Sequence, residues 1–407
     1  MTTNVVVGAG QAGVHAATAM RRSGVAGRIV LVGEEQSLPY ERPPLSKAYL
    51  SSPDDIKLDH FYEPGEFSRL DIDVITGVRV ESINAAAKTI SLTLGGELSY
   101  DALILATGSR PRRLQFPGAE RALHLRTFDD AELLRSRLAP GVSVLCIGAG
   151  VIGLEVAASA RQRGCVVTVV DVAETVMGRS LDRAMASRVR ELHESRGVRF
   201  VLGASVTELN DTHAVLSSGE TIAADVVLFG IGVERRTDIA RAAGIAVDRG
   251  ILVDERGRTS EPDIYAAGEV AEFFLGQTGK HQTMESWRHA QDHGAFVGRV
   301  VGGTDEDYAL SSWFWSDQYD VNLQFVGVTA GNEIATSVRR PASENADCTF
   351  YLDGNDLVIG AIGWNTPKDI MAATRIIAQA RPIEAARLAD PDVQLRSFVG
   401  RSAVVSA

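Results

Sequence analysis

Two glycine clusters with the same spacing are the residues in this sequence that point most directly to chemistry. They occupy residues 8–13 and 148–153, and each has the pattern G-x-G-x-x-G. In this pattern the first glycine permits a tight turn, the second lets the backbone approach a pyrophosphate, and the third lets a helix pack against a strand. The free amide groups at the start of that helix then bind the phosphates. Two copies predict a protein that binds two dinucleotides.

Each cluster is followed by an acidic residue about 20 positions later, as the fingerprint requires. Glu34 follows the first cluster, where a carboxylate accepts hydrogen bonds from the hydroxyls of an adenosine ribose. The alternative for Glu34 is a solvated acid at the end of a strand. Asp171 follows the second cluster, and a carboxylate there binds the 2′-hydroxyl and repels a 2′-phosphate, which favours NADH. Arg179 lies close by in sequence and leaves NADPH as an alternative.

The residues around both clusters predict the strand–turn–helix units that must position them. Continuous apolar, β-branched runs precede each cluster, as in buried parallel strands, and alanine-rich stretches follow, as in crossover helices. Glu155 falls in the first turn of the second predicted helix, where the helix dipole by itself stabilises a carboxylate. The strands are predicted at residues 4–7, 28–32, 103–111 (broken by a glycine), 142–147, 166–170 and 224–233, and the helices at residues 12–22 and 154–162.

Lys47 stands at the end of an unusually stiff loop, residues 39–47. Two adjacent prolines, Pro43 and Pro44, fix the backbone dihedral φ and supply no amide hydrogen. A lysine placed directly after such a turn is held in position, unlike most surface lysines. The alternative is that this segment simply starts a helical turn over residues 47–50, and both descriptions can hold together.

Residues 8–13, Glu34 and the run Glu41-Arg42-Pro43-Pro44-Leu45-Ser46-Lys47 resemble the FAD-dependent ferredoxin reductases of oxygenase systems. The resemblance spans essentially the whole chain and implies the glutathione-reductase fold. It implies a reductase that takes hydride from NADH and passes single electrons to a [2Fe–2S] ferredoxin serving an aromatic-ring dioxygenase or a P450.

The resemblance also assigns roles to individual side chains. In this family the matching lysine, Lys47, lies by the flavin N5 and pairs with the matching glutamate, Glu155, so we expect these two residues to be catalytic. The matching tryptophan, Trp315, lines the flavin near the partner-docking surface, although an aromatic cluster is more often core or interface packing.

The motifs and the resemblance together predict two sets of cofactor-binding residues and no metal site. For FAD they are Gly8, Gly10, Gln11, Ala12, Gly13, Glu34, Arg42, Pro44, Lys47, Ala106, Thr107, Gly108, Gly268, Glu269, Ser286, Trp287 and Trp315. For NADH they are Gly148, Gly150, Val151, Ile152, Gly153, Asp171, Arg179 and Gly232.

The chain departs from the family pattern at two places. Glu269 stands where the family has an aspartate bonded to the flavin ribityl chain, and it adds one methylene, about 1.5 Å of reach. The run Glu234-Arg235-Arg236-Thr237 stands where the family often has Pro-Asn, which we expect to affect the edge of the nucleotide site. After Ser286 and Trp287, a helix reaching residue 301 is predicted to direct its positive end at the flavin.

These elements predict an α/β protein with two Rossmann-like, glutathione-reductase-like dinucleotide domains and a C-terminal α+β interface domain. A chain of 407 residues is long enough for two or three domains. The predicted boundaries are residues 1–110 and 236–312 for the two parts of the FAD domain, 111–235 for the NADH domain and 313–407 for the interface domain.

The composition of the chain argues against some classes of binding partner. The net charge of −11 argues against nucleic acid, and no apolar run approaches the roughly 18 residues of a membrane span. Three widely separated cysteines fit a reducing compartment, so we expect a cytoplasmic protein, monomeric or weakly dimeric. The chain has no cysteine pair to relay electrons, which favours an external one-electron carrier. Rubredoxin reductase and a flavin redox sensor resembling apoptosis-inducing factor are the alternatives.

Overall fold

The computed structural model describes residues 2–52, 54, 56–93, 95–275, 279–308 and 312–399. The end of the predicted interface domain, residues 400–407, lies outside the described residues. The chain divides into two compact units. Unit 1 comprises Met1–Pro44, Lys57–Arg110 and Val233–Ser311, and unit 2 comprises Leu45–Ile56, Pro111–Gly232 and Ser312–Ala407.

The described strands, in chain order, are β1 (Thr3–Val7), β2 (Arg28–Val32), β3 (Ile72–Ile75), β4 (Val80–Asn84), β5 (Thr89–Leu92), β6 (Glu97–Ser99), β7 (Ala102–Leu105), β8 (Ser109–Pro111), β9 (Ser143–Ile147), β10 (Val166–Asp171), β11 (Arg199–Leu202), β12 (Val206–Leu209), β13 (His213–Leu216), β14 (Thr221–Ala223), β15 (Val226–Phe229), β16 (Val233–Arg235), β17 (Ile251–Val253), β18 (Ile264–Ala266), β19 (Ala271–Leu275), β20 (Lys280–Gln282), β21 (Trp313–Gln318), β22 (Val321–Gly327), β23 (Thr336–Ser343), β24 (Ala346–Leu352) and β25 (Val358–Trp364).

The described α-helices are α1 (Gln11–Arg22), α2 (Ala48–Ser51), α3 (Glu66–Arg69), α4 (Phe128–Arg137), α5 (Val151–Gln162), α6 (Arg183–Ser195), α7 (Asp238–Ala242), α8 (Trp287–Val301), α9 (Pro367–Gln379) and α10 (Ala385–Ala389). Short 3₁₀ turns occur at Pro43–Ser46, Ala119–Arg121, Gly268–Val270 and Leu395–Ser397.

Unit 1 is built around a five-stranded parallel sheet with the strand order β18-β7-β1-β2-β3. The strand β1 pairs with both β2 and β7, so the chain leaves the middle of the sheet to enter α1. In doubly wound α/β sheets, ligands bind at the carboxyl ends of the strands where the strand order reverses. Helix α8 packs closely on α1, because a Cβ atom on Gly294 would lie 2.2 Å from the Ala12 carbonyl oxygen.

Unit 2 contains a second parallel sheet with the order β11-β10-β9-β15. Here β9 holds the position that β1 holds in unit 1, between two parallel neighbours, and α5 follows it. The same unit contains the antiparallel sheet β21-β22-β25-β24-β23. Helix α9 contributes Ile370, Ala373 and Ile376 to the apolar core of that sheet.

Two predicted element boundaries are wrong, the start of α5 and the strand at residues 224–233. Helix α5 begins at Val151, three residues before the predicted start, because the chain turns into the helix directly after Gly150. The predicted break by a glycine in the strand at residues 103–111 is confirmed, since this segment forms two strands, β7 and β8, on either side of Gly108, which has a φ of +63°. The predicted strand at residues 224–233 is likewise divided, into β15 and β16.

Candidate functional site

The first glycine turn, in unit 1, is a tightly packed backbone structure with one open side. A Cβ atom on Gly8 would lie 2.1 Å from the Ala106 carbonyl oxygen, and one on Gly13 would lie 1.8 Å from the Gly8 carbonyl oxygen. Among the described residues, no atom lies within 4 Å of a Cβ placed on Gly10. The turn therefore admits no side chain at its base and leaves room at the second glycine, as pyrophosphate binding requires.

A cavity of about 80 Å³ lies beside this turn, and Gly8, Glu34, Thr107 and Arg236 are among the residues lining it. Glu34 comes just after β2, and its Oε2 lies 2.6 Å from a guanidinium nitrogen of Arg236. The hydrogen bond from Arg236 lowers the pKa of the Glu34 carboxyl. A carboxylate at the mouth of a cavity beside a glycine turn fits the ribose and adenine of a dinucleotide, so the residues present fit this part of FAD.

The family departure at residues 234–237 has its structural effect here, in unit 1. Arg236 pairs with Glu34, and its carbonyl oxygen accepts a hydrogen bond from the Thr107 hydroxyl at 2.8 Å. The guanidinium of Arg235 donates to the carbonyl oxygen of Glu269 at 2.9 Å. Both arginines therefore support residues that the sequence assigned to FAD.

Three further residues predicted for FAD form polar contacts within unit 1. Arg42 forms an ion pair of 2.6 Å with Glu35, and Gln11 bonds to Gln291 at 3.5 Å. The Glu269 carboxylate accepts a hydrogen bond of 2.6 Å from Ser109.

The predicted helix after Ser286 is confirmed as α8. The Ser286 side chain caps it by accepting from the His289 amide at 3.0 Å. The indole of Trp287 donates to Glu41 at 2.5 Å, and burial raises the pKa of that carboxyl. Pro44 lies in the 3₁₀ turn Pro43–Ser46.

The second glycine turn, in unit 2, repeats the geometry of the first. A Cβ atom on Gly148 would lie 2.4 Å from the Gly230 carbonyl oxygen, and one on Gly153 would lie 2.0 Å from the Gly148 carbonyl oxygen. A Cβ on Gly150 would meet only the Gly230 carbonyl oxygen, at an ordinary 3.7 Å. The residues of this turn thus also fit a dinucleotide pyrophosphate.

Asp171 ends β10, and its carboxylate is bound to the backbone of this turn. It accepts hydrogen bonds from the amides of Ala149 at 2.6 Å and Ala173 at 2.8 Å. Arg179 lies near Gly232, with a guanidinium nitrogen 3.7 Å from where a Cβ on that glycine would be. Ile152, at the start of α5, has 41% of its surface exposed and lies in the segment expected to meet the nucleotide.

Glu155 is not in the first helical turn, contrary to the prediction, since α5 begins earlier. It lies in the second turn with 1% exposure, so the helix dipole is not what stabilises it. Its Oε2 accepts hydrogen bonds from the hydroxyl of Ser46 and, at 2.9 Å, from the ammonium group of Lys47. Its Oε1 accepts from the hydroxyl of Ser316 at 2.7 Å. A buried carboxylate needs such donors, and here they come from two separate chain segments, residues 46–47 and β21.

Lys47 is held on two sides within unit 2. Its ammonium group pairs with Glu155 and also lies 5.7 Å from the centre of the Trp315 ring. Trp315 stacks on Trp313 with ring centres 5.2 Å apart, and its indole donates to Asp317 at 3.0 Å. The stiff loop also starts a helix, since Lys47 is the N-terminal cap of α2, so both expectations for this segment hold.

The structure brings the predicted residues together in two groups. Apart from Lys47 and Trp315, the residues predicted for FAD lie in unit 1, and those predicted for NADH lie in unit 2 with the catalytic pair. The sequence motifs did not indicate Ser316, which donates to Glu155, or the buried hydrogen-bonded pair Gln318 and His193. They also did not indicate the ion pair of Arg236 with Glu34. The Ser-Asp-Gln run after the tryptophans and the consecutive arginines were visible signals, but neither has a fixed offset from a recognised motif.

No helix in the described part of the chain is long and apolar enough to span a membrane. Within the same residues, no group of three or more His, Cys, Asp or Glu side chains is arranged to hold a metal ion.

Two family models match the chain. Residues 2–294 match the pyridine nucleotide-disulphide oxidoreductase family, and residues 313–399 match the reductase C-terminal family. The ferredoxin–NAD(+) reductase component of the p-cumate 2,3-dioxygenase system of Pseudomonas putida is 40% identical over 396 residues, covering 96% of this chain and 97% of that protein. Rhodocoxin reductase of Rhodococcus erythropolis is 37% identical, covering 98% of this chain and 94% of that protein.

Solved structures agree with these matches. A ferredoxin reductase from Rhodopseudomonas palustris has a TM-score of 0.93 at 36% identity, covering 98% of this chain and all of that chain. The putidaredoxin reductase–putidaredoxin complex has a TM-score of 0.92 at 33% identity, covering 98% of each chain. The predicted α/β class and glutathione-reductase-like fold are confirmed. The chain belongs to the pyridine nucleotide-disulphide oxidoreductase family and, within it, to the ferredoxin–NAD(+) reductases that carry a reductase C-terminal domain.

Proposed function

We propose that this chain is an FAD-containing reductase that takes hydride from NADH and delivers electrons one at a time to a ferredoxin. The observation that carries the proposal is the repetition of one dinucleotide turn in two units of the same chain. The p-cumate dioxygenase component and rhodocoxin reductase, both similar along nearly their whole length, support the same activity.

The acids after the two turns support the assignment of FAD to unit 1 and NADH to unit 2. Glu34 borders the cavity in unit 1, and Asp171 carries a negative charge at the nucleotide turn of unit 2. An arginine already neutralises part of the charge near Glu34, whereas the donors to the Asp171 carboxylate among the described residues are backbone amides. A 2′-phosphate is therefore repelled in unit 2, which favours NADH over NADPH.

Bound FAD supplies the chemistry of accepting two electrons as hydride and releasing them singly. The protein supplies orientation and charge. The Glu155 carboxylate holds the Lys47 ammonium group in one place, and the Trp315 ring limits its movement on another side. A fixed positive charge of this kind lowers the barrier to hydride transfer because it needs no reorganisation during the reaction.

The cysteines support an external electron acceptor. All three are buried, and burial raises the pKa of the Cys146 thiol to about 12, so it is not a reactive thiolate. We further propose that the acceptor is a [2Fe–2S] ferredoxin serving an aromatic-ring dioxygenase or a P450. We also propose that the reductase works in the cytoplasm as a monomer or weak dimer.

Stopped-flow reduction of the FAD-loaded protein tests this proposal. We expect rapid bleaching of the flavin by NADH, and rapid cytochrome c reduction only when a [2Fe–2S] ferredoxin is added. The variant Lys47→Met should slow bleaching while retaining FAD. The exposed Lys57, on a neighbouring segment, provides the matched control Lys57→Met, which should bleach at the wild-type rate.

Two other outcomes would contradict the proposal. A charge-transfer complex that persists in air with negligible turnover would indicate a flavin redox sensor. Faster turnover with rubredoxin than with [2Fe–2S] ferredoxins would indicate a rubredoxin reductase.

Light scattering and sedimentation at micromolar concentration measure the oligomeric state directly.

A further inference from the structure

A buried line of polar side chains in unit 2 leads away from Glu155. Ser316, Gln318 and His193 each have 0% exposure, although all three carry hydrogen-bonding groups. The Ser316 Oγ lies 2.7 Å from Glu155 Oε1, and the Gln318 Nε2 lies 3.0 Å from that Oγ. The Gln318 Oε1 lies 2.8 Å from the His193 Nε2. The line ends at the Tyr319 hydroxyl, 3.4 Å from the His193 Nδ1.

Two elements place these groups. Alternate residues of a strand point to the same side, so Ser316 and Gln318 share one face of β21. His193 lies in the last turn of α6, with the rings of Phe200 and Tyr319 packed against it at centre distances of 6.1 and 5.0 Å. Burial lowers the pKa of His193 to about 4, so its ring is neutral at neutral pH.

The carboxylate sets the direction of every hydrogen bond in the line. An ionised carboxylate only accepts, so Ser316 donates its hydroxyl hydrogen to Glu155. The Ser316 oxygen then accepts from the amide group of Gln318, whose nitrogen also faces the sulfur of Met177 at 3.7 Å. Gln318 therefore turns its carbonyl oxygen to His193, which must donate from Nε2.

We propose that His193 is a positioning residue for Glu155. It acts through Gln318 and Ser316: His193 donates to Gln318, Gln318 donates to Ser316, and Ser316 donates to the carboxylate. Bonds that all point the same way polarise one another, so the line stabilises Glu155 Oε1 more than an isolated serine would. Oε2 is then left to face Lys47. This inference rests on the proposed role of the Glu155–Lys47 pair in hydride transfer.

A pair of variants at His193 separates this role from packing. His193→Met removes the Nε2 donor and keeps an apolar side chain of similar length, whereas His193→Gln restores a donor near the Nε2 position. In stopped-flow reduction, we expect the methionine variant to lower the rate of hydride transfer at saturating NADH about fivefold. The dissociation constant for NADH should change less than about twofold. The glutamine variant should recover most of the rate.

A double-mutant cycle tests whether the effect passes through Ser316. The variant Ser316→Ala cuts the line and should lower the same rate about tenfold. Adding His193→Met to it should cause no further loss, because the connection is already broken. Wild-type rates in the single methionine variant, or losses that multiply in the double variant, would overturn the proposal.

His213 provides a matched control in the same unit. It also bonds to a side-chain amide, that of Asn210, but it lies on β13 and outside the line. We expect His213→Met to transfer hydride at the wild-type rate. A loss equal to that of His193→Met would overturn the proposal, because a change at a histidine outside the line would then have the same effect.

A spectroscopic measurement gives a result independent of turnover. In protein labelled with ¹⁵N-histidine, the His193 signals are assigned by their loss in the glutamine variant. We expect the hydrogen on Nε2 and none on Nδ1, and the opposite tautomer would overturn the proposal.

Flavin reduction distinguishes failure of the proposed function from failure of this inference. If NADH failed to reduce the wild-type flavin, the proposed function would be wrong. Normal reduction of the wild type together with an unaffected His193→Met would refute this inference alone.

Discussion

Replacing Gly10 by alanine should separate FAD binding from folding. The protein itself accepts the change, because no described atom lies within 4 Å of the new Cβ and the residue has a φ of −86°. Alanine reduces the freedom of the unfolded chain, which is worth about 0.4–1 kcal/mol, and this offsets its weaker preference for the N-cap position that Gly10 holds in α1. The unliganded variant should therefore unfold at a temperature close to that of the wild type.

The same methyl group enters the space that the turn keeps open for a pyrophosphate. Adding a methyl group to a filled contact costs typically 1–3 kcal/mol. At about 1.4 kcal/mol per factor of ten, the dissociation constant for FAD should rise roughly 5- to 150-fold. Gly150→Ala should act in the same way in unit 2, weakening NADH binding and leaving FAD in place, since its Cβ meets only the Gly230 oxygen at 3.7 Å.

The third glycine of each turn supplies the control. A Cβ on Gly13 would lie 1.8 Å from the Gly8 carbonyl oxygen, and one on Gly153 would lie 2.0 Å from the Gly148 carbonyl oxygen. These are backbone contacts, so the strand and the helix must move apart. We expect Gly13→Ala and Gly153→Ala to lower stability even without cofactor.

The assay is thermal unfolding with and without FAD, combined with flavin fluorescence titration and NADH titration. We expect a stable Gly10→Ala protein whose FAD binding is weak and whose visible spectrum returns at high FAD concentration. Wild-type FAD affinity in Gly10→Ala would refute this expectation. Loss of FAD rather than NADH from Gly150→Ala would refute the assignment of the two turns.

Three further predictions concern charge and burial. Asp171→Arg should raise the affinity for NADPH relative to that for NADH. The hydrogen bonds from backbone amides to Asp171 are lost whichever nucleotide binds, so their loss does not change this ratio. An unchanged ratio in binding titrations would show that Asp171 does not determine nucleotide selectivity. Glu269→Asp should retain FAD. Because the shorter side chain no longer reaches Ser109, it should lower the free energy of unfolding by about 1–3 kcal/mol, and the control Ser109→Ala should do the same. Loss of FAD from Glu269→Asp would instead show that the local backbone depends on glutamate. Burial lowers the pKa of His289 to about 4 and that of His293 well below its usual value, so the unfolded chain binds more protons below pH 6.5. The free energy of unfolding is therefore unaffected by these histidines above about pH 6.5. Below that pH it falls by up to roughly 1.4 kcal/mol per pH unit for each histidine. Urea unfolding at pH 7.5, 6.5 and 5.5 measures this slope, which His289→Phe should reduce; a flat profile would contradict it.

The local features of both nucleotide sites could be predicted from the sequence. The turns at residues 8–13 and 148–153 depend on glycines a few positions apart, and their strands and helices have continuous apolar patterns. The following acids have a fixed offset because the second strand of the unit always returns beside the first. The helix after Ser286 was equally visible, since a serine cap and an apolar periodicity are both local signals.

The family resemblance led us to expect the pairing of Glu155 with Lys47, but its serine donors were revealed only by the tertiary structure. Its donors Lys47 and Ser316 are 108 and 161 residues away along the chain, and no periodicity links them to α5. Arg236 likewise reaches Glu34 across 202 residues. The sequence by itself therefore determined which segments form glycine turns and which are followed by an acid, because those properties depend on neighbouring residues. Folding decided which buried charges are paired, because each partner comes from another segment of the chain.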